Sequence, residues 1–168
     1  MTAPTAPRPR ALPADFAALT AADVMQRDLI TVLISDPADV IERVLADAKI
    51  SGVPVLDHDD RLVGVVSMAD LVRRYAEEQD LPTDTDYPAF GDDVDETEIV
   101  AFDRPTRLHA CAGDLMTSEV TTVGPQIGLC ELAKSMVTQR IHRVLVTERS
   151  RVLGLVSTLD VLRAVASA

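Results

Sequence analysis

Aromatic residues are nearly absent: 168 residues hold no Trp, two Tyr and three Phe, although 47% are hydrophobic. The core must therefore be built from Val, Leu, Ile and Ala. Only two cysteines occur, Cys111 and Cys130. That is too few for a disulfide framework, and the Pro- and Arg-containing start carries no secretory pattern, so reduced thiols and a cytoplasmic location are expected. No apolar run approaches the ~20 residues needed to cross a bilayer, so no membrane partner is expected. No Walker loop, His-Glu-x-x-His motif or spaced catalytic triad occurs, and the chain is not expected to be an enzyme.

Positive charge is missing from one stretch. Between Ala76 and Asp103 lie 11 acids and no Lys or Arg. The whole chain has 27 acids and 16 bases, so the remainder is neutral and the net charge of −11 belongs to this segment. A broad basic surface for nucleic acid is excluded, whereas a small anion could still bind the neutral part. His109 and Cys111 alone are too few for a metal site.

What the chain does have is a motif at its end. An apolar, β-prone run leads into Ser157, and a helical pattern leads out through Asp160. Ser at the junction and Asp three residues later read as strand, cap and first helical turn. A helix N-terminus offers unpaired N–H groups to a phosphate, and a carboxylate one turn in can accept from two hydroxyls of a ribose. The plain alternative is a capping box with Asp in place of Glu.

The motif occurs twice. Gly64-Val65-Val66-Ser67-Met68-Ala69-Asp70 repeats the plan of Gly154-Leu155-Val156-Ser157-Thr158-Leu159-Asp160. The duplication runs further. Asp23-Val24-Met25 matches Asp114-Leu115-Met116, and Ile30-Thr31-Val32 matches Thr121-Thr122-Val123 as a short strand. Helices are expected over 36–48 and 126–139, from apolar residues at i, i+3, i+4 and i+7. Second strands follow over 49–55 and 140–146, third strands over 62–67 and 152–157, and closing helices over 68–76 and 158–166. The offset is 91 residues from Met25 to Met116 and 90 from Gly64 to Gly154, so one residue is lost in the turn after Asp57. A tail and short helix over 1–19, repeats over 20–76 and 112–168, and an acidic linker over 77–111 complete the plan. The short helix starts near Pro13 and turns Phe16 and Leu19 inward. In the linker, Ile99 to Phe102 is apolar enough to dock on the body.

Both repeats resemble cystathionine-β-synthase-type (CBS) domains, and the pair resembles a stand-alone Bateman module. The residues that carry the likeness are the openings with Met followed by Thr-Val (Met25 and Thr31-Val32, Met116 and Thr122-Val123), the Ile-x-x-Val-x-Val strands (Ile50 to Val55, Ile141 to Val146) and the Gly-x-x-Ser-x-x-Asp closes. The resemblance implies an α/β (α+β) fold of two β-α-β-β-α units, packed about a pseudo-twofold axis with two clefts. It implies no obligatory cofactor, and clefts that take adenosine-containing ligands: AMP, ADP, ATP, S-adenosylmethionine, NAD or a cyclic dinucleotide. By position, Asp70 and Asp160 would hold ribose hydroxyls. Ser67, Ser157 and Thr158 would face phosphate. Ile30, Thr31, Val32, Thr121, Thr122 and Val123 would bracket adenine. His142 and Arg143 resemble the phosphate-binding strand of the γ subunit of AMP-activated protein kinase, whereas the first repeat has Ser51-Gly52 there.

Two functions remain. One is a non-catalytic regulatory module that binds an adenine nucleotide, AMP before ADP before ATP because cations are scarce, and signals to an enzyme or transporter. The other is a ligand-independent dimerisation or docking scaffold. A homodimer is expected in either case, through Leu71, Val72 and Tyr75 on one terminal helix and Val161, Leu162 and Val165 on the other.

Overall fold

The structure is a computed structural model that describes residues 16, 18–78 and 109–167. The N-terminal tail, the start of the helix expected near Pro13, the acidic linker from 79 to 108 and its apolar stretch lie outside the described residues. The elements are α1 (Ala21–Val24), β1 (Val32–Leu33), α2 (Ala38–Ala48), β2 (Gly52–Leu56), β3 (Leu62–Ser67) and α3 (Met68–Glu78). They recur as α4 (Ala112–Leu115), β4 (Thr122–Val123), α5 (Leu129–Gln139), β5 (Arg143–Glu148), β6 (Arg151–Ser157) and α6 (Thr158–Ala166). The fold is mixed α+β, with two three-stranded sheets ordered β1-β2-β3 and β4-β5-β6. In each sheet the first pair is parallel and the second antiparallel.

Two compact units form, and they do not follow the order of the repeats. One contains residues up to Leu29 together with Thr121 onward; the other is the continuous stretch Ile30–Val120. Each repeat's opening segment therefore packs into the core of the other repeat. Phe16, Ala21 and Met25 are buried with Leu129, Leu132, Met136, Val144, Val146 and Val156. Ala110, Ala112 and Leu115 are buried with Ile41, Leu45, Val53, Val55, Val66 and Leu71. The backbone fixes the exchange: Gln26 pairs with Leu155, and Thr117 pairs with Val65.

This packing explains two glycines. A Cβ on Gly154 would lie 2.7 Å from the Met25 sulfur and 2.7 Å from the Gln26 carbonyl oxygen. A Cβ on Gly64 would lie 2.6 Å from the Met116 sulfur. The Asp-x-Met openings and the Gly-x-x-Ser closes are thus two halves of one contact, which only a residue without a side chain permits.

The third strands and closing helices begin within a residue of their expected places, because the Ser caps mark the junctions. The second strands begin later than expected. Lys49 and Arg140 take left-handed backbone conformations, φ 53° and 54°, and end α2 and α5 instead of starting strands. Helix α2 starts at Ala38, not Asp36. Pro37 stays extended, and the Asp36 carboxylate accepts the Leu33 N–H at 2.8 Å to close the preceding turn.

The short first strand is shifted in one repeat, and Pro54 accounts for it. Val65 points its N–H and carbonyl towards Thr117, so Pro54 faces Val65 at a non-bonded position of the β2–β3 ladder. The missing N–H of Pro54 therefore lies on the β1 side, where parallel pairing begins only at Val55, opposite Val32. In the other sheet the equivalent position is Leu145, and pairing with Thr122 already begins there. The lost residue of the duplication is in the hairpin. Arg149 and Ser150, both with positive φ, join β5 to β6 as a two-residue turn. The longer loop after β2 is closed by the Asp57 carboxylate, which accepts the N–H groups of Asp59 and Arg61.

The expected dimer face is corrected by helix phase. Leu71 is buried, Tyr75 packs on the same core and donates its O–H to Glu42, and Val161 packs on the other core. The large apolar side chains left exposed on the closing helices are Met68 and Val72, and Leu159, Leu162 and Val165.

Candidate functional site

Strand direction gathers the candidate residues at one end of each sheet. β1 runs parallel to β2, and β3 runs antiparallel to it. The start of β1, the start of β2 and the end of β3 therefore share an end, and α3 begins there. In this unit the end carries Ile30 and Thr31, Ser51 and Gly52, and Ser67 with Asp70. The same logic in the other sheet gathers Thr121 and Thr122, His142 and Arg143, and Ser157, Thr158 and Asp160. Arg143 lies directly across from Ser157 in the ladder.

At both ends the Ser and Asp form a reciprocal cap. The Asp160 Oδ2 accepts the Ser157 N–H at 2.9 Å and its hydroxyl at 2.5 Å, while the Ser157 oxygen accepts the Asp160 N–H. The Asp70 Oδ2 accepts from Ser67 in the same way, at 2.8 and 2.6 Å. The Asp residues are 6% and 8% exposed, and they are the buried charged residues among those described. The other oxygen meets an arginine one turn on: Arg163 to Asp160 at 3.2 Å, and Arg73 to Asp70 at 3.3 Å. The residue just before β5 or β2 supplies a backbone acceptor at each end. The Thr158 N–H donates to His142 oxygen at 2.9 Å, and the Met68 N–H donates to Ser51 oxygen at 3.0 Å. The Thr158 hydroxyl also donates to His142 oxygen.

The two ends differ in side chains. His142 and Arg143 are exposed beside the α6 cap, whereas Ser51 and Gly52 occupy those places beside α3. The Gln26 amide reaches both Asp160 oxygens, at 3.2 and 3.3 Å. Burial pushes the Asp160 carboxyl up. The Ser157 hydroxyl and N–H, the Gln26 amide and the Arg163 charge outweigh burial and hold it below its ordinary value of 3.8.

Of the remaining candidates, Ile30, Thr31, Thr121 and Thr122 are exposed. The Thr121 hydroxyl donates to Gln139 at 3.2 Å. Val32 is buried in one core and Val123 packs on the other, so both serve packing. Reading the sequence for motifs missed Gln26, Arg73 and Arg163. The two arginines had a signal in their shared place three residues after each Asp.

The duplicated Ser-Asp caps, set on duplicated sheets with exchanged openings, coincide with a CBS-domain family model matching residues 21–77 and 112–167. The chain belongs to the CBS-domain family. This CBS pair is 29% identical over 149 residues to an uncharacterized protein of Methanocaldococcus jannaschii, covering 84% of this chain and 88% of that one. It is similar to the crystal structure of CBSX2 in complex with AMP, with 26% identity, 88% and 96% coverage and a TM-score of 0.64. Its fold also resembles the CBS domain pair of protein MJ0100 in complex with 5′-methylthioadenosine and S-adenosyl-L-methionine. That match has 18% identity, 89% and 98% coverage and a TM-score of 0.63. No helix among the described residues is long and apolar enough to cross a membrane.

Proposed function

We propose that this CBS pair is a non-catalytic regulatory module that binds an adenine nucleotide and passes its occupancy to a partner enzyme or transporter. The observation that carries the reading is the grouping at the end of β4-β5-β6. A guanidinium and an imidazole stand beside a helix N-terminus, one turn from a buried carboxylate. Phosphate suits the guanidinium and the imidazole, because an arginine fork matches its oxygens. The positive end of the α6 dipole adds to them, although the Thr158 and Asp160 N–H groups are already bonded within the cap. A ribose diol suits the carboxylate. The AMP carried by CBSX2 and the adenosine core shared by the two MJ0100 ligands support the same ligand class.

AMP is favoured over ADP and ADP over ATP. Cations at this end are few, and each further phosphate adds charge to be matched or left in water. Ligand acts by population shift: it stabilises the arrangement it fits best and so alters the surface a partner meets. The chain acts as a homodimer, with the exposed faces of α3 and α6 covered in the contact.

Titration calorimetry with AMP, ADP and ATP on the wild type, Arg143→Ala, Asp160→Ala and Asp70→Ala tests the reading. Arg143→Ala and Asp70→Ala are each expected to weaken AMP about tenfold at their own sites, the worth of one charge-assisted hydrogen bond. Asp160→Ala is expected to weaken it by less, because the Gln26 amide already meets both of its oxygens. Tighter binding of ATP than AMP, or unchanged AMP binding by Arg143→Ala, would remove this assignment of the phosphate seat. The second reading is a ligand-independent scaffold. It is favoured by the fact that each Ser-Asp pair is bonded to itself as a helix cap, a role that needs no nucleotide. A flat response to all three nucleotides at millimolar concentration would put it ahead.

A further inference from the structure

The geometry points to Gln26 as the residue that sets ribose discrimination at Asp160, by occupying with its amide the carboxylate oxygens that a vicinal diol would use. This inference rests on the reading of Asp70 and Asp160 as ribose carboxylates.

A carboxylate offers about four acceptor positions. At Asp160, two are used by the N–H and hydroxyl of Ser157. The others meet the Arg163 guanidinium at 3.2 Å and the Gln26 amide, which spans both oxygens. The Asp160 acceptors are therefore taken. Asp70 has the same two bonds from Ser67 and the same i+3 arginine. The arginines do not distinguish the two ends. Arg73 and Arg163 are also mostly exposed, at 60% and 64%, so water replaces them at little cost.

Gln26 does distinguish them. Its backbone N–H and carbonyl are both tied to Leu155 at 2.9 Å, which fixes where its side chain starts. The matching residue in the other unit is Thr117, which makes the same two backbone bonds to Val65. Among the described residues, no hydrogen bond joins the Thr117 side chain to Asp70. Among the described residues, a diol arriving at Asp70 has an exposed arginine to displace and no amide. A diol arriving at Asp160 must also displace the Gln26 amide, which is exposed like the arginines but carried on a backbone fixed at both its N–H and its carbonyl. Selectivity is thereby divided: the end with His142 and Arg143 reads phosphate more than ribose, and the end without them depends on ribose.

The probes are AMP and 2′-deoxy-AMP, titrated calorimetrically into the full chain. In Asp70→Asn, where Asp160 is the remaining ribose carboxylate, the two nucleotides should bind within about twofold of each other. Adding Gln26→Thr, the residue the chain itself uses at the matching place, should raise the AMP preference about fivefold, the worth of one hydrogen bond. The reciprocal pair, Asp160→Asn with Thr117→Gln, should lower the preference at Asp70 by a similar factor, and it keeps the test open should Gln26→Thr fold poorly. If the carboxylate variants change the AMP to 2′-deoxy-AMP ratio and the residue 26 and 117 variants do not, the role of Gln26 is overturned alone. If neither Asp70→Asn nor Asp160→Asn moves the ratio, the ribose reading falls, and the role of Gln26 with it.

Discussion

One unit is made from a single stretch of chain, Ile30 to Val120, and the other from two ends brought together. Their sheets have the same order and the same pairing sense, so continuity of the chain is the main variable between them. In the continuous unit, closing the core means bringing α4 back onto β3 within one segment. In the discontinuous unit, the segment carrying Phe16, Ala21 and Met25 must reach a sheet that begins only at Thr122. Loop-closure cost grows only slowly with length, so both cores can close in the intact chain. The difference emerges when the chain is cut.

The largest expected effect follows directly. A fragment spanning residues 30–120 should fold alone, with a cooperative melt by circular dichroism. A fragment spanning 121–168 should not, because it lacks the residues that cover its sheet. A cooperative melt for the second fragment would show that the opening segment is dispensable there.

A finer comparison uses the paired glycines. Gly154→Ala should cost about 1–3 kcal/mol in chemical denaturation, the usual range for overpacking. Its new methyl meets the Gln26 carbonyl, a backbone atom that cannot swing aside. Gly64→Ala should cost less, because its nearest neighbours are all atoms of the flexible Met116 side chain. Equal costs would mean that the two openings are held with the same rigidity.

Much of this architecture was legible in the sequence because it is written locally. Ser67 and Ser157 mark the last strands and closing helices to within a residue, since a cap is a short-range device. The exchange of openings was not legible. Asp23-Val24-Met25 and Asp114-Leu115-Met116 are nearly identical, and nothing in such a pair says which sheet each covers. The shift of β1 had a signal that was passed over: Pro54 lies in a central strand, where a missing N–H excludes a partner on one side. Leu71, Tyr75 and Val161 were assigned to the wrong helix face, because an apolar residue on a short helix fits either a core or a dimer contact. Gln26 carried no motif of its own. It stands out only when it is set against Thr117.

Acid should separate the wild type from Asp160→Asn. The Asp160 carboxyl is held below 3.8 in the fold, so its charged form contributes stability above that pH. The contribution is lost as the pH falls through 3.8 to the lower folded value. Melting temperatures of the two proteins should therefore differ at pH 7 and converge as the pH falls below 3.8. A gap that widens on acidification would contradict the carboxylate's hydrogen-bonding role.

The smallest effect should be equal in the two units. Lys49→Gly and Arg140→Gly should each stabilise by up to about 1 kcal/mol, since glycine takes the left-handed backbone without the crowding a Cβ brings. Melting curves that move in opposite directions would show that one of these side chains makes a contact worth more than the strain.

The exchanged openings also bear on how the two repeats can change over generations. A substitution at Met25 is met first by Gly154, and one at Met116 by Gly64. Gln26 and Asp160 stand 134 positions apart and still share a hydrogen bond. Once duplicated, the halves could not drift as separate copies. Each holds a piece of the other's core, so a tolerated change in one repeat needs its compensating change in the sibling, and the pair is inherited as a single unit of selection.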